Sequence, residues 1–92
     1  MMGYTYHKTT EVRAFQLTDE SFGNRDIWPQ WVKDEIRTNY RMVVDEPKRA
    51  IELWEFQAYS IWTIGDYFIL PNIEDSGVMA QKTFESVFRK AD

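Results

Sequence analysis

His7 is the only histidine in the chain, and there is no cysteine. Imidazole chemistry therefore rests on one side chain, and thiolate chemistry on none. A nucleophile needs a base held within hydrogen-bond reach, and a structural zinc site needs four nitrogen or sulfur ligands. His7 alone meets neither demand. The acidic pairs Asp19/Glu20, Asp34/Glu35, Asp45/Glu46 and Glu74/Asp75 are adjacent in sequence and mostly in turn-forming stretches. Such neighbours do not converge on one substrate, so they read as solvated surface. Glu74, Asp75 and Ser76 before Gly77 carry some of the oxygen ligands of a calcium loop without its alternating spacing. No phosphate-cradling glycine motif and no nucleophile elbow occurs. Asp66, beside Gly65, is expected to bond backbone amides of its own turn. These residues point away from an enzyme, with no metal and no cofactor.

The other residues able to do chemistry are aromatic. They make up 16% of the chain and include four tryptophans, enough to raise the question of how many one small core can hold. Large aromatics fill cores, and they also anchor protein interfaces. Trp54, Phe56, Trp62 and Tyr67 fall on strands apolar on both faces, and are the expected partner-binding residues. An alternative is a nucleic-acid-binding module that stacks bases on these rings and holds phosphates with Arg41, Lys48 and Arg49. The net charge of -4, from 15 acidic and 11 basic residues, argues against a nucleic-acid footprint. It is also too sparse for mimicry of nucleic acid, and solubility accounts for it.

The elements that position these residues begin with a strand over 10–17. There Val12, Ala14 and Gln16 face one way, and Arg13, Phe15 and Leu17 the other. Residues 18–24 are rich in turn and cap formers. The spacing predicts one long helix over 26–40, with Asp26 capping its start and Pro29 in its first turn. Trp28, Trp31, Val32 and Ile36 form its apolar stripe. A hairpin follows, with strands over 41–45 and 50–56. Residues 57–60 read as a turn, 61–64 as a short strand, and 67–70 as another that Pro71 ends. After a loop over 72–77 comes a strand over 78–82. Thr83 then caps a last segment that fits a helix (Phe84, Val87, Phe88) or a strand (Phe84, Ser86, Phe88). The first residues lack the apolar run of a secretory leader, and no stretch approaches the length of a membrane span.

Gly65-Asp66-Tyr67-Phe68-Ile69, then Gly77, then Phe84-Glu85-Ser86-Val87-Phe88 resembles the C-terminal half of a group of small phage and prophage proteins. Val12 to Thr18 is similar to the same group's first strand. Two positions depart from that pattern: Val78 stands where glutamate is common, and Phe88 where tyrosine is. The resemblance implies a phage-encoded origin and an α+β fold, and brings no catalytic residues.

The expected fold is α+β in a single domain over 1–92, with residues 1–9 loosely held. A curved antiparallel sheet of about five strands, closing towards a partial barrel, carries the main helix on one face. The expected function is that of a phage-type accessory protein in the host bacterial cytoplasm. It would bind a host or phage protein as inhibitor or adaptor, and could associate with itself.

Overall fold

Bulky apolar groups on both faces of several strands call for cover, and among the described residues two sheets and three α-helices supply part of it. The computed structural model describes residues 3–6, 11–56, 58–73 and 76–90. In order, the elements are β1 (Gly3–Tyr6), β2 (Glu11–Gln16), α1 (Asp19–Gly23), a 3-10 turn (Arg25–Ile27) and α2 (Gln30–Asn39). They continue with β3 (Arg41–Asp45), β4 (Ala50–Glu55), β5 (Ala58–Thr63), β6 (Tyr67–Ile73), β7 (Ser76–Met79), α3 (Gln81–Val87) and β8 (Phe88–Lys90). The fold is α+β and its strand pairs are antiparallel.

The expected single sheet is corrected to two. One has five strands in the order β7-β6-β2-β1-β8, and the other has three in the order β3-β4-β5. β5 runs close to β7, but no ladder joins them. The main core lies between the sheets. Leu17 and Phe68 come from the larger sheet's side, Ile51, Leu53 and Trp62 from the smaller sheet, and Val32 and Ile36 from α2. On the far side of the larger sheet, Val12, Tyr67 and Ile69 pack against Phe84 and Phe88. The alternation read for residues 12–17 holds: Val12 and Ala14 meet this second cluster, while Phe15 and Leu17 meet the first.

The long helix is shorter than expected. Trp28 has ψ 140°, outside the helical region, so α2 begins only after Pro29. A residue before proline is pushed out of the α region by the proline ring, which explains the break. Asn24, not Asp26, caps the 3-10 turn by accepting from the Asp26 N–H. Residues 18–24 are also more ordered than a turn. Thr18 Oγ1 accepts from the Ser21 N–H while Ser21 Oγ accepts from the Thr18 N–H, a reciprocal cap that starts α1.

Three further readings change. β5 starts at Ala58, which pairs with Glu55 of β4. β6 runs through Pro71 to Ile73, and the pairing with β7 shifts register between Phe68 and Ile73. A bulged stretch has no ladder bond for the missing proline N–H to break. Of the two candidate periods for the last segment the helix holds, to Val87, and the strand through Phe84 and Ser86 does not, since β8 begins only at Phe88; Ala80 rather than Thr83 precedes the helix. β1 is paired on both sides, with β2 and β8.

Candidate binding surface

β3, β4 and β5 turn Met42, Val44, Ile51, Leu53 and Trp62 towards the core. Period two then sends the alternate residues outward. The register aligns them in rows across the sheet: Arg41, Trp54 and Tyr59 in one, and Val43, Glu52 and Ile61 in the next. Val43, Trp54, Tyr59 and Ile61 are exposed. The Trp54 and Tyr59 rings stack with centroids 4.5 Å apart and planes 20° from parallel. Trp54 Nε1–H donates to Glu52 Oε1 at 3.0 Å, and the Arg41 guanidinium lies 5.5 Å from the indole centroid. Both charged groups thus hold the indole of the pair. Phe56, 99% exposed, projects from the β4–β5 turn.

The four aromatic residues expected in one partner-binding patch are divided between surface and interior. Trp54 and Phe56 are exposed, while Trp62 is 0% and Tyr67 7% exposed. Trp62 faces the main core because it lies three residues after Tyr59, on the opposite face of β5. Its Nε1–H donates to the Asp66 carbonyl at 3.0 Å. Tyr67 faces α3, where its ring stacks 3.8 Å from Phe84 and its hydroxyl donates to Glu85 Oε2. Tyr59, Ile61 and Val43 were missed as surface residues. The period-two alternation of Tyr59 and Ile61 against Ser60 and Trp62 is the signal that marks them, hidden by reading 57–60 as a turn.

The expected basic set also separates. Arg41 alone stands beside the aromatic row. Arg49 has φ 51°, and its side chain turns back to pair with Asp19 at 2.7 Å and to cover the Phe22 ring at 4.9 Å. Lys48 sits in the β3–β4 turn, where its N–H donates to Asp45 Oδ1.

The Gly65-Asp66 turn is a hydrogen-bonding junction. The Gly65 N–H donates to the Leu17 carbonyl at 2.7 Å, and the Leu17 N–H donates to the Asp66 carbonyl at 3.0 Å. Gly65 has φ 100°, a conformation that glycine adopts readily. The expected role of Asp66 is corrected. Its carboxylate accepts from Thr63 Oγ1 at 2.8 Å and from the Gln81 N–H at 3.2 Å, so it caps α3 from a distance. Ala80, at the start of α3, has no side chain able to do so. The residues that resemble the phage group, Gly65-Asp66, Tyr67, Phe84 and Phe88, thus build the turn and the second core.

His7, Glu74 and Asp75 lie outside the described residues. Among the described residues, no three of His, Cys, Asp and Glu gather closely enough to hold a metal ion. No helix there is long and apolar enough to cross a membrane. Comparison of the chain with protein-family models, with curated proteins and with solved structures found no match.

Proposed function

We propose that this is a phage-type accessory protein that acts without catalysis, by binding a host or phage protein in the host bacterial cytoplasm. The outer face of β3–β5 is its docking surface. The observation that carries this reading is the stacked Trp54–Tyr59 pair, exposed beside Val43 and Ile61 on a sheet face whose opposite side is core. Contiguous apolar surface of this kind marks interaction sites, and tryptophan and tyrosine dominate binding hot spots. A Trp54 ring stacked on Tyr59 and held by Glu52 and Arg41 loses little rotamer freedom on binding, which favours affinity. A second copy of the chain is one candidate occupant.

The nucleic-acid reading draws on the same row, since Arg41, Trp54 and Tyr59 together could stack bases. Against it stand Glu52 beside the indole and the ion-paired Arg49.

The deciding experiment is an affinity capture from bacterial lysate with the tagged protein and a folded Trp54→Ala/Tyr59→Ala variant, alongside light scattering on both. One stoichiometric protein, or a dimer, seen with the wild type and lost in the variant supports the reading. Equal capture by both proteins sinks it. Tight, salt-sensitive binding of a short oligonucleotide would favour the second reading.

A further inference from the structure

Where α2 meets β3, the surface opens into a cavity of about 420 Å³. That lies within the usual range of small-molecule pockets, roughly 300–1,000 Å³. Trp28, Ile36 and Met42 are among its lining residues, and the first two are nearly fully buried. Trp28 directs its indole N–H away from solvent to the Ser21 carbonyl at 2.7 Å. Its ring therefore adds apolar wall with no polar demand left over.

The charged lining is of one sign. Arg25, Lys33, Arg37 and Arg41 all border the cavity, four of the 11 basic residues in a chain of net charge -4, and no acidic residue joins them. Arg37 is bound to Asp34 at 3.0 Å and so counts for little. Arg25, Lys33 and Arg41 form no ion pair among the described residues. The Arg41 contact with the Trp54 ring leaves its positive charge unneutralised. Arg25, Lys33 and Arg41 border an apolar floor, and cations beside apolar surface favour an anionic ligand with an apolar body.

We propose that this cavity is a binding site for a small amphipathic anion: a phosphate, sulfonate or carboxylate carrying one aromatic or acyl group. The body lies on Trp28 and Met42, and the anionic head meets Arg25, Lys33 and Arg41. The site shares Arg41 with the aromatic row but needs no protein partner.

The test is a titration of the labelled full chain with 1-naphthyl phosphate, followed through backbone amide shifts. Inorganic phosphate and 1-naphthol serve as the two half-ligands. Saturable shifts confined to residues 25–42 are expected, with a Kd of about 0.1–1 mM for a ligand of this size. Either half-ligand should bind at least roughly tenfold more weakly, as should an Arg25→Gln/Lys33→Gln variant confirmed as folded by circular dichroism. The variant leaves Arg41, and hence the Trp54 contact, in place. Binding of 1-naphthol as tight as that of its phosphate, or shifts that do not saturate, would overturn the proposal. So would tighter binding at the same residues by a short peptide of glutamate and phenylalanine, which would make the cavity a peptide site.

Discussion

Trp28 and Trp62 meet edge to face, their ring centroids 5.3 Å apart and their planes inclined by 61°. Trp28 follows the 3-10 turn and Trp62 lies on β5, so this one contact ties the helical layer to the smaller sheet. Each indole N–H is also spent on a backbone carbonyl, Ser21 for Trp28 and Asp66 for Trp62. The pair therefore fixes ring orientation as well as filling volume.

Trp62→Ala should lose about 3–5 kcal/mol of stability, through the cavity it leaves and the loss of its hydrogen bond to the Asp66 carbonyl. Chemical denaturation would measure it. Trp62→Phe should lose less, because it keeps much of the volume while giving up the hydrogen bond. An unchanged midpoint for Trp62→Ala would contradict the placement of this ring.

Trp54→Ala/Tyr59→Ala should behave differently. A cross-strand pair contributes roughly 0.2–1 kcal/mol, so the denaturation midpoint should move only slightly while partner capture is lost. A collapse of the fold instead would show that these rings serve stability.

Gly65→Ala should cost about 1–3 kcal/mol, from the disfavoured φ. A Cβ there would also come within 2.6 Å of Gln81 Oε1. That contact is with the end of a flexible side chain. Adding Gln81→Ala should therefore recover only a minor part of the loss in thermal melts. Full recovery would trace the cost to the contact and not to the backbone.

Asp66→Ala should cost about 1 kcal/mol, as for a lost helix cap. Amide exchange in α3 should quicken more than exchange in α2. Asp66→Asn keeps one acceptor and should fall between the two. Uniform acceleration across the chain would deny Asp66 a local role.

Much of this architecture could be read from residue patterns. The alternation through Val12–Leu17 assigned both faces of β2, and the β3–β4 hairpin follows from two apolar alternations around Pro47. The Trp31, Val32 and Ile36 stripe located α2. What could not be read was which strands pair. Two sheets and one curled sheet place the same residues inward and outward, because period two fixes faces but not neighbours. The binding surface was half legible for the same reason. Trp54, Phe56 and Trp62 look alike as bulky aromatics on two-faced strands, and only the register of β5 tells that Trp62 points inward. Arg49 was misread as available because its contact with Asp19 joins two distant segments.

β1 lies between β2 and β8, with Tyr4 opposite both Val12 and Lys90. Such pairing has a consequence for synthesis. While the chain emerges from a ribosome, the hairpins of β3, β4 and β5 join near neighbours and can form early. The larger sheet cannot close until residues 88–90 are released, so the edge of β1 that will receive β8 stays open until then. Pairings this distant in sequence are slow to form and leave strand edges prone to aggregation meanwhile. Truncations before Phe88 should therefore yield aggregates, even though they retain the whole aromatic row.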